Sequence, residues 1–296
     1  MENIYQAALW EKVLTSLYDR FFYILYGRGD DFMEEAWDNL VILDACRFDD
    51  FRRENFLEGE LESRISPATD SPGFIEKTFN GRELHDTVYV TANPHVYRVE
   101  DGVFHAIIDE PLKEFDPELG TVPPEKVTEA ALEANDEFPD KRLIIHYMQP
   151  HDPPIGDKAG EIRESIELGG WRPDQEEDRE KRLMNALARG DIEPETAREA
   201  YRENLRIVLG EVETLLEKID GRTVVTADHG EMFGEYYPLL GSLYEHWKKP
   251  RTVELCKVPW FKAGGKMRTT TAEKPVRGAT VDEEDIKQQM KKLGYG

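Results

Sequence analysis

Apolar residues in this chain fall into short uninterrupted runs and longer helical stripes, and the two alternate. Asn39 to Leu43, Thr87 to Thr91, Arg142 to Tyr147 and Thr223 to Ala227 read as buried strands. Between them lie helical stretches. Ser71 and Pro72 supply helix-start chemistry ahead of Ile75–Phe79. Pro123 to Asn135 places Val127, Ala130, Ala131 and Ala134 on one face, and Pro194 to Ile219 carries a stripe from Tyr201 through Leu205, Val208, Val212 and Leu215. The segment from Arg47 to Glu62 is charged and partly helical in its reading, and a polar stretch at about 156–193 reads as a charged insertion. A helix running straight into a strand, as at Ile219–Thr223, is the crossover of a parallel sheet. The pattern predicts an α/β fold, a doubly wound, mostly parallel sheet with helices on both faces. An N-terminal helical segment, residues 1–36, precedes the α/β domain, residues 37–296.

That first segment bears a stripe of Leu9, Val13, Leu17, Phe21, Ile24 and Leu25. Core packing is its expected fate and membrane-surface docking the alternative, which leaves room for peripheral membrane association. Its apolar part is too short for the roughly 20 residues of a transmembrane span.

Charge narrows the function classes. The 296 residues carry a formal net charge of −23, which repels nucleic acid and anionic lipid, and the acids are spread along the whole chain as in a halophilic surface. Two cysteines, Cys46 and Cys256, with no secretory leader in view, predict a reducing, cytoplasmic setting.

Three of the strand runs end in ligand-grade side chains, where an open α/β sheet exposes its binding edge. The first ends at Asp44-Ala45-Cys46-Arg47, the third at His146 with His151 five residues on, and the last at Asp228-His229-Gly230-Glu231. Asp228 and His229 converge on one ion only where the strand ends and the chain turns, a turn that Gly230 permits. Asp44 is the natural third ligand. Carboxylate with imidazole suits zinc or manganese, and a more carboxylate-rich set would suit magnesium or calcium. His146 and His151 are read as groups that bind an anionic ester, protonate a leaving group or hold a second ion. Arg47 offers either a fork for a tetrahedral anion or an ion pair with Asp49 or Asp50. Asn93 closes the second strand and is a candidate substrate contact.

These motifs resemble the alkaline phosphatase superfamily, in particular its sulfatase-like branch, and are similar to sulfatase-like chains of halophilic archaea. The resemblance rests on Val41–Asp49, the His-x-x-x-Pro-His run from His146 to His151, and Asp228–Glu231. It continues through Tyr244-Glu245-His246, Val258-Pro259-Trp260 and Leu293-Gly294-Tyr295, in order from about Trp37 to Tyr295. It implies a metal-bound nucleophile at a helix start, attacking the phosphorus or sulfur of an ester. Position points to Thr69-Asp70-Ser71-Pro72. Formylglycine sulfatases carry Cys (or Ser)-x-Pro-x-Arg, whereas this chain reads Asp70-Ser71-Pro72-Gly73-Phe74. Counting two residues back from the proline lands on Asp70, which is then a metal ligand beside Asp44, Asp228 and His229. Thr69 and Ser71 are the hydroxyl candidates, His146 and His246 further catalytic groups, and Arg47, His151 and Asn93 substrate contacts. The resulting expectation is a metal-dependent hydrolase of a phosphate or sulfate ester, small or borne on a glycan or lipid-linked sugar. A phosphoryl-type group transferase and an inert, metal-retaining binding domain are the alternatives.

Overall fold

A computed structural model of the chain describes residues 2–165, 183–246 and 250–280. Its seven-stranded sheet is built from β1 (Asn39–Asp44), β2 (Glu60–Ile65), β3 (Leu84–Thr91), β4 (Phe104–Ile108), β5 (Arg142–Pro150), β6 (Arg222–Ala227) and β9 (Lys257–Gly264), in the order β2-β9-β6-β1-β5-β3-β4. Strands β6, β1, β5, β3 and β4 are mutually parallel, and β9 runs antiparallel to both β6 and β2. The sheet is therefore mostly parallel, as its unbroken apolar runs imply. All six residues of β1 are buried, as befits a central strand. A separate hairpin pairs β7 (Met232–Tyr237) with β8 (Gly241–Glu245).

Helices cover both faces of the sheet. On one, Phe79, at the end of α3 (Ser71–Thr78), stacks against Tyr89. On the other, Thr128 of α4 (Pro124–Glu137) hydrogen-bonds Tyr147, and α7 (Pro194–Lys218) packs beside α4. Side chains alternate along a strand, so His146 lies on the α3 side and Tyr147 on the α4 side of β5. The charged segment after β1 holds α2 (Phe48–Glu54) and then β2. Of the expected insertion, α5 (Asp157–Ser165) and α6 (Leu183–Arg189) are helical, while residues 166–182 lie outside the described residues, as does Leu293-Gly294-Tyr295. After β9 the chain crosses the edge opposite the strand C-termini, bonding Asp140, His85 and His105 through backbone groups of Thr271, Glu273 and Val276.

One expectation is overturned. The stripe on α1 (Glu2–Tyr26) does not enter the core: Phe21, Ile24 and Leu25 are 66–71% exposed. The opposite face packs instead. Phe22 joins Met232, Leu255 and Cys256, buried Asp19 accepts from the Arg251 amide at 2.7 Å, and Tyr18 donates to the Pro238 carbonyl. A polar anchor and one aromatic ring outcompete the apolar stripe because the sheet's faces are already covered.

A candidate metal and nucleophile site at the strand ends

Strand register builds this site. Leu43 pairs with Ala227, so the next residues, Asp44 and Asp228, stand abreast where two adjacent parallel strands end. Ile42 pairs with His146 of β5, which brings that imidazole to the same edge. The carboxylate oxygens of Asp44 and Asp228 and the imidazole of His229 offer ligand atoms within 4.8 Å of one another, all fully buried.

Each ligand is aimed by a specific bond. The Ala45 and His229 amides donate to Asp228 Oδ1 at 3.0 and 2.8 Å, leaving Oδ2 to face the cluster. Asn93 Nδ2 donates to Asp44 Oδ2 at 2.8 Å, leaving Oδ1. His229 Nδ1 donates to the Gly230 carbonyl at 2.8 Å, so the Nε2 lone pair points inward. Nε2 lies 3.6 Å from Asp44 Oδ1 and 3.5 Å from Asp228 Oδ2. Among the described residues, those oxygens and His146 Nε2 have no hydrogen-bond partner. Buried acceptors do not converge without a donor or a cation between them. The spacings match the about 3.4 Å edge of a tetrahedron whose ligands lie ~2.0–2.2 Å from a zinc-type ion. The residues fit a divalent cation.

Ser71 is the hydroxyl that reaches the cluster. Its Oγ donates to Asp44 Oδ2 at 3.3 Å and stands 3.4 Å from His229 Nε2. Asp70, which the motif count favoured, is turned to another task. It caps α3, its Oδ1 accepting from the Gly73 amide at 2.8 Å, and a Cβ at Gly73 would come within 2.5 Å of that oxygen. It is not among the grouped ligands. Thr69, two residues ahead of Ser71, is buried without a described hydrogen bond to the cluster.

Electrostatics follow from burial. Desolvation and the charge of Asp228 raise Asp44 well above the usual carboxylate range. Burial acts on Asp228 too, but His229 and His146 beside it hold its pKa below the ordinary value. Burial lowers His146 to about 4, so it is neutral, and its Nδ1 bonds the Tyr89 hydroxyl at 2.8 Å.

A second group adjoins the first. His151, Glu231 and His246 also bring ligand atoms within 4.8 Å, and the His246 ring lies 4.5 Å from that of His229 and 5.1 Å from that of His151. Burial works against a charge on His246. Glu231, 3.1 Å from Nδ1, outweighs it and holds the imidazolium up to about 9. Glu231 is the functional candidate that the sequence reading quoted but passed over; its place beside Asp228-His229-Gly230 was the available signal.

Arg47 does not face the cluster as an anion fork. Its guanidinium pairs with Asp49 and Glu235 and donates to the Glu231 carbonyl, and it is almost wholly buried. Of its two readings the ion pair prevails, because Glu235 of β7 folds over it. Gly230 also serves differently from expectation. Its requirement is close approach, since a Cβ there would lie 2.0 Å from the Glu254 carbonyl, rather than an unusual φ.

Tyr201 of α7 braces the Asp44 turn. Its hydroxyl donates to the Ala45 carbonyl at 2.8 Å and accepts from the Arg47 amide at 2.9 Å, around Ala45 in the left-handed region at φ 58.

No protein-family profile matches the sequence, and no curated protein matches it. Solved structures do. The integral membrane protein lipooligosaccharide phosphoethanolamine transferase A from Neisseria meningitidis superposes with a TM-score of 0.50 at 14% identity, over 75% of this chain and 47% of that one. The present chain thus spans about half the length of that protein. The separate soluble domain of the same transferase gives 0.47 at 15% identity over 75% of each chain. A candidate sulfatase from Bacteroides thetaiotaomicron gives 0.44 at 11% identity, over 86% of this chain and 70% of that one. The chain shares the fold of that phosphoethanolamine transferase: a mostly parallel sheet with helices packed on it.

Proposed function

We propose that the chain is a metal-dependent enzyme that cleaves a phosphate or sulfate ester, with Ser71 as nucleophile. The observation that carries this reading is the place of Ser71 Oγ, 3.3 Å from Asp44 and 3.4 Å from His229, at the start of α3. Asp44, Asp228 and His229 would hold a divalent cation. When bound, such an ion lowers the pKa of a neighbouring hydroxyl and neutralises charge on a tetrahedral anion.

The chain's own residues account for the remaining steps. The positive end of the α3 dipole, at whose start Ser71 lies, favours negative charge on Ser71 Oγ. Oγ, its proton released to solvent, bonds to phosphorus or sulfur as the bond from that atom to the leaving oxygen breaks. His246, charged at neutral pH through Glu231, hands its proton to the leaving oxygen. Water then attacks the phosphorus or sulfur, giving a proton back to His246, and the bond to Ser71 Oγ breaks, Oγ leaving as the alkoxide it entered as. Leu183, Met184 and Phe233 with Glu231 line a small, shallow pocket beside the second cluster. A phosphoryl-type transferase is the second reading, favoured by the fold shared with a phosphoethanolamine transferase; an alcohol then replaces water in the last step.

The test is turnover of aryl phosphate, phosphodiester and sulfate esters with zinc or manganese, alongside metal content. Ser71→Ala should abolish turnover, by about 10³-fold or more, with the metal retained, while Thr69→Ala keeps activity. Full activity in Ser71→Ala would refute the assignment. Product analysis with an added alcohol separates hydrolysis from transfer.

A further inference from the structure

The loop that delivers Ser71 is tied down upstream of it. Residues 66–70 join β2 to α3, and Ser71 Oγ stands 3.3 Å from Asp44 and 3.4 Å from His229, so the course of this loop sets that approach. Ser66 stitches the loop to the ligand strand. Its hydroxyl donates to the Asp228 carbonyl and accepts from the Ala68 amide at 3.2 Å, and its own amide donates to the Cys256 carbonyl at 2.7 Å.

The Ser66 and Pro67 carbonyls are claimed by Arg251, from the connection between β8 and β9. Its Nη2 donates to Ser66 and its Nη1 to Pro67 at 2.8 Å, across 185 and 184 residues of sequence. Two successive carbonyls are thereby held by one planar fork, a geometry that a point-charge ammonium does not reproduce. Arg251 is buried, so water does not compete for these bonds. Helix α1 seats the fork. The Phe22 and Tyr23 rings each lie 5.4 Å from the guanidinium carbon, within cation–π range, and Asp19 accepts from the Arg251 amide at 2.7 Å. A guanidinium is thus buried against aromatic rings and spent on the backbone of the nucleophile loop. Neither Arg251 nor α1 takes part in the cleavage steps themselves.

We propose that Arg251 is a positioning residue: seated against α1, it holds the Ser66–Pro67 stretch and so keeps Ser71 Oγ at the ion site. This rests on Ser71 as nucleophile, and the test separates the two claims. Arg251→Met keeps apolar volume against Phe22 but removes both donors, whereas Arg251→Lys keeps a cationic donor for one carbonyl. In full-length, zinc-loaded protein, Arg251→Met should lower kcat about 100-fold for the aryl ester that the wild type turns over, the loss expected when a reacting group shifts by about 1 Å. KM and zinc content should stay within about twofold. Arg251→Lys should recover roughly tenfold of the loss, since one charge-assisted bond returns. A packing role predicts the reverse order, with Met nearer the wild type. Amide hydrogen exchange reads the loop without turnover. In Arg251→Met, residues 66–74 should exchange at least about tenfold faster while β1 and β6 keep wild-type protection. Unchanged exchange in the loop overturns the proposal, as does faster exchange throughout the sheet, a loosened loop with wild-type kcat, or a Lys variant no better than Met. A wild type that turns over no ester sinks the catalytic reading alone, and exchange then decides whether Arg251 holds the loop.

Discussion

Tyr201→Phe removes one oxygen and tests whether the Asp44 turn is held from α7. Two bonds disappear, to the Ala45 carbonyl and from the Arg47 amide, both in buried surroundings. Leaving a buried amide and carbonyl unpaired costs ~1–3 kcal/mol each, and partial repair brings the expected loss of stability to about 2–4 kcal/mol. The effect should reach the cluster, because the Ala45 amide orients Asp228 and Asp44 immediately precedes that turn. Loss of such outer support lowers metal affinity about 10–100-fold. Ala45→Gly supplies the internal control. At φ 58 an L-residue bears a penalty of ~1–2 kcal/mol that glycine does not, so Ala45→Gly added to Tyr201→Phe should recover part of both losses. Urea unfolding reads the stability and calorimetric titration with zinc reads the affinity. Wild-type values in Tyr201→Phe would refute the brace. Failure of Ala45→Gly to recover anything would assign the loss to packing around the ring.

Two further outcomes are expected. In chelated protein the His246 pKa is raised from 6.5 to about 9, so the Glu231 pairing contributes stability below pH 6.5 and loses it as pH rises through 9. The melting temperature of wild type should therefore fall more steeply across that window than that of His246→Gln; parallel curves would remove the pairing. With a net charge of −23, molar potassium chloride should raise the melting temperature by relieving self-repulsion, and an unchanged or lower value would count against a halophilic surface.

The central strands were legible because they are buried on both sides, and burial writes itself as an unbroken apolar run at Leu40–Leu43, Ile144–Ile145 and Val224–Val225. Strand β2, Glu-Leu-Glu-Ser-Arg-Ile, was not, since it is an edge strand half open to solvent and its charges pair across it with Lys262 and Glu35. The β7–β8 hairpin was missed for the same reason. The strand ends bearing Asp44 and Asp228 could be read from the runs, but their adjacency is a matter of register, which no local pattern encodes. Choosing between Asp70 and Ser71 required the first turn of α3, where one side chain caps and its neighbour points to the cluster. For Arg47 the ion pair with Asp49 was legible, but not the choice against the anion fork, because Glu235, which also claims it, lies 188 residues away. The stripe on α1 was read as core because periodicity reveals an apolar face without saying what covers it.

The ladder between β1 and β6 has a thermodynamic consequence. Asp44 and Asp228 are successors of paired residues, so they cannot separate unless the middle of the sheet parts. Two buried carboxylates side by side oppose folding, and either of two visitors relieves them. A proton does so by settling on Asp44, whose pKa burial and Asp228 raise, and a divalent cation held by the two would do so as well. Proton and cation are thus rivals for one place, and acid should loosen the ion before it unfolds the protein. Capture of the ion and closure of the fold then form a single linked equilibrium. Each tenfold excess of free ion over its dissociation constant would add about 1.4 kcal/mol to the folded side, so the melting temperature of the chain should rise with added zinc.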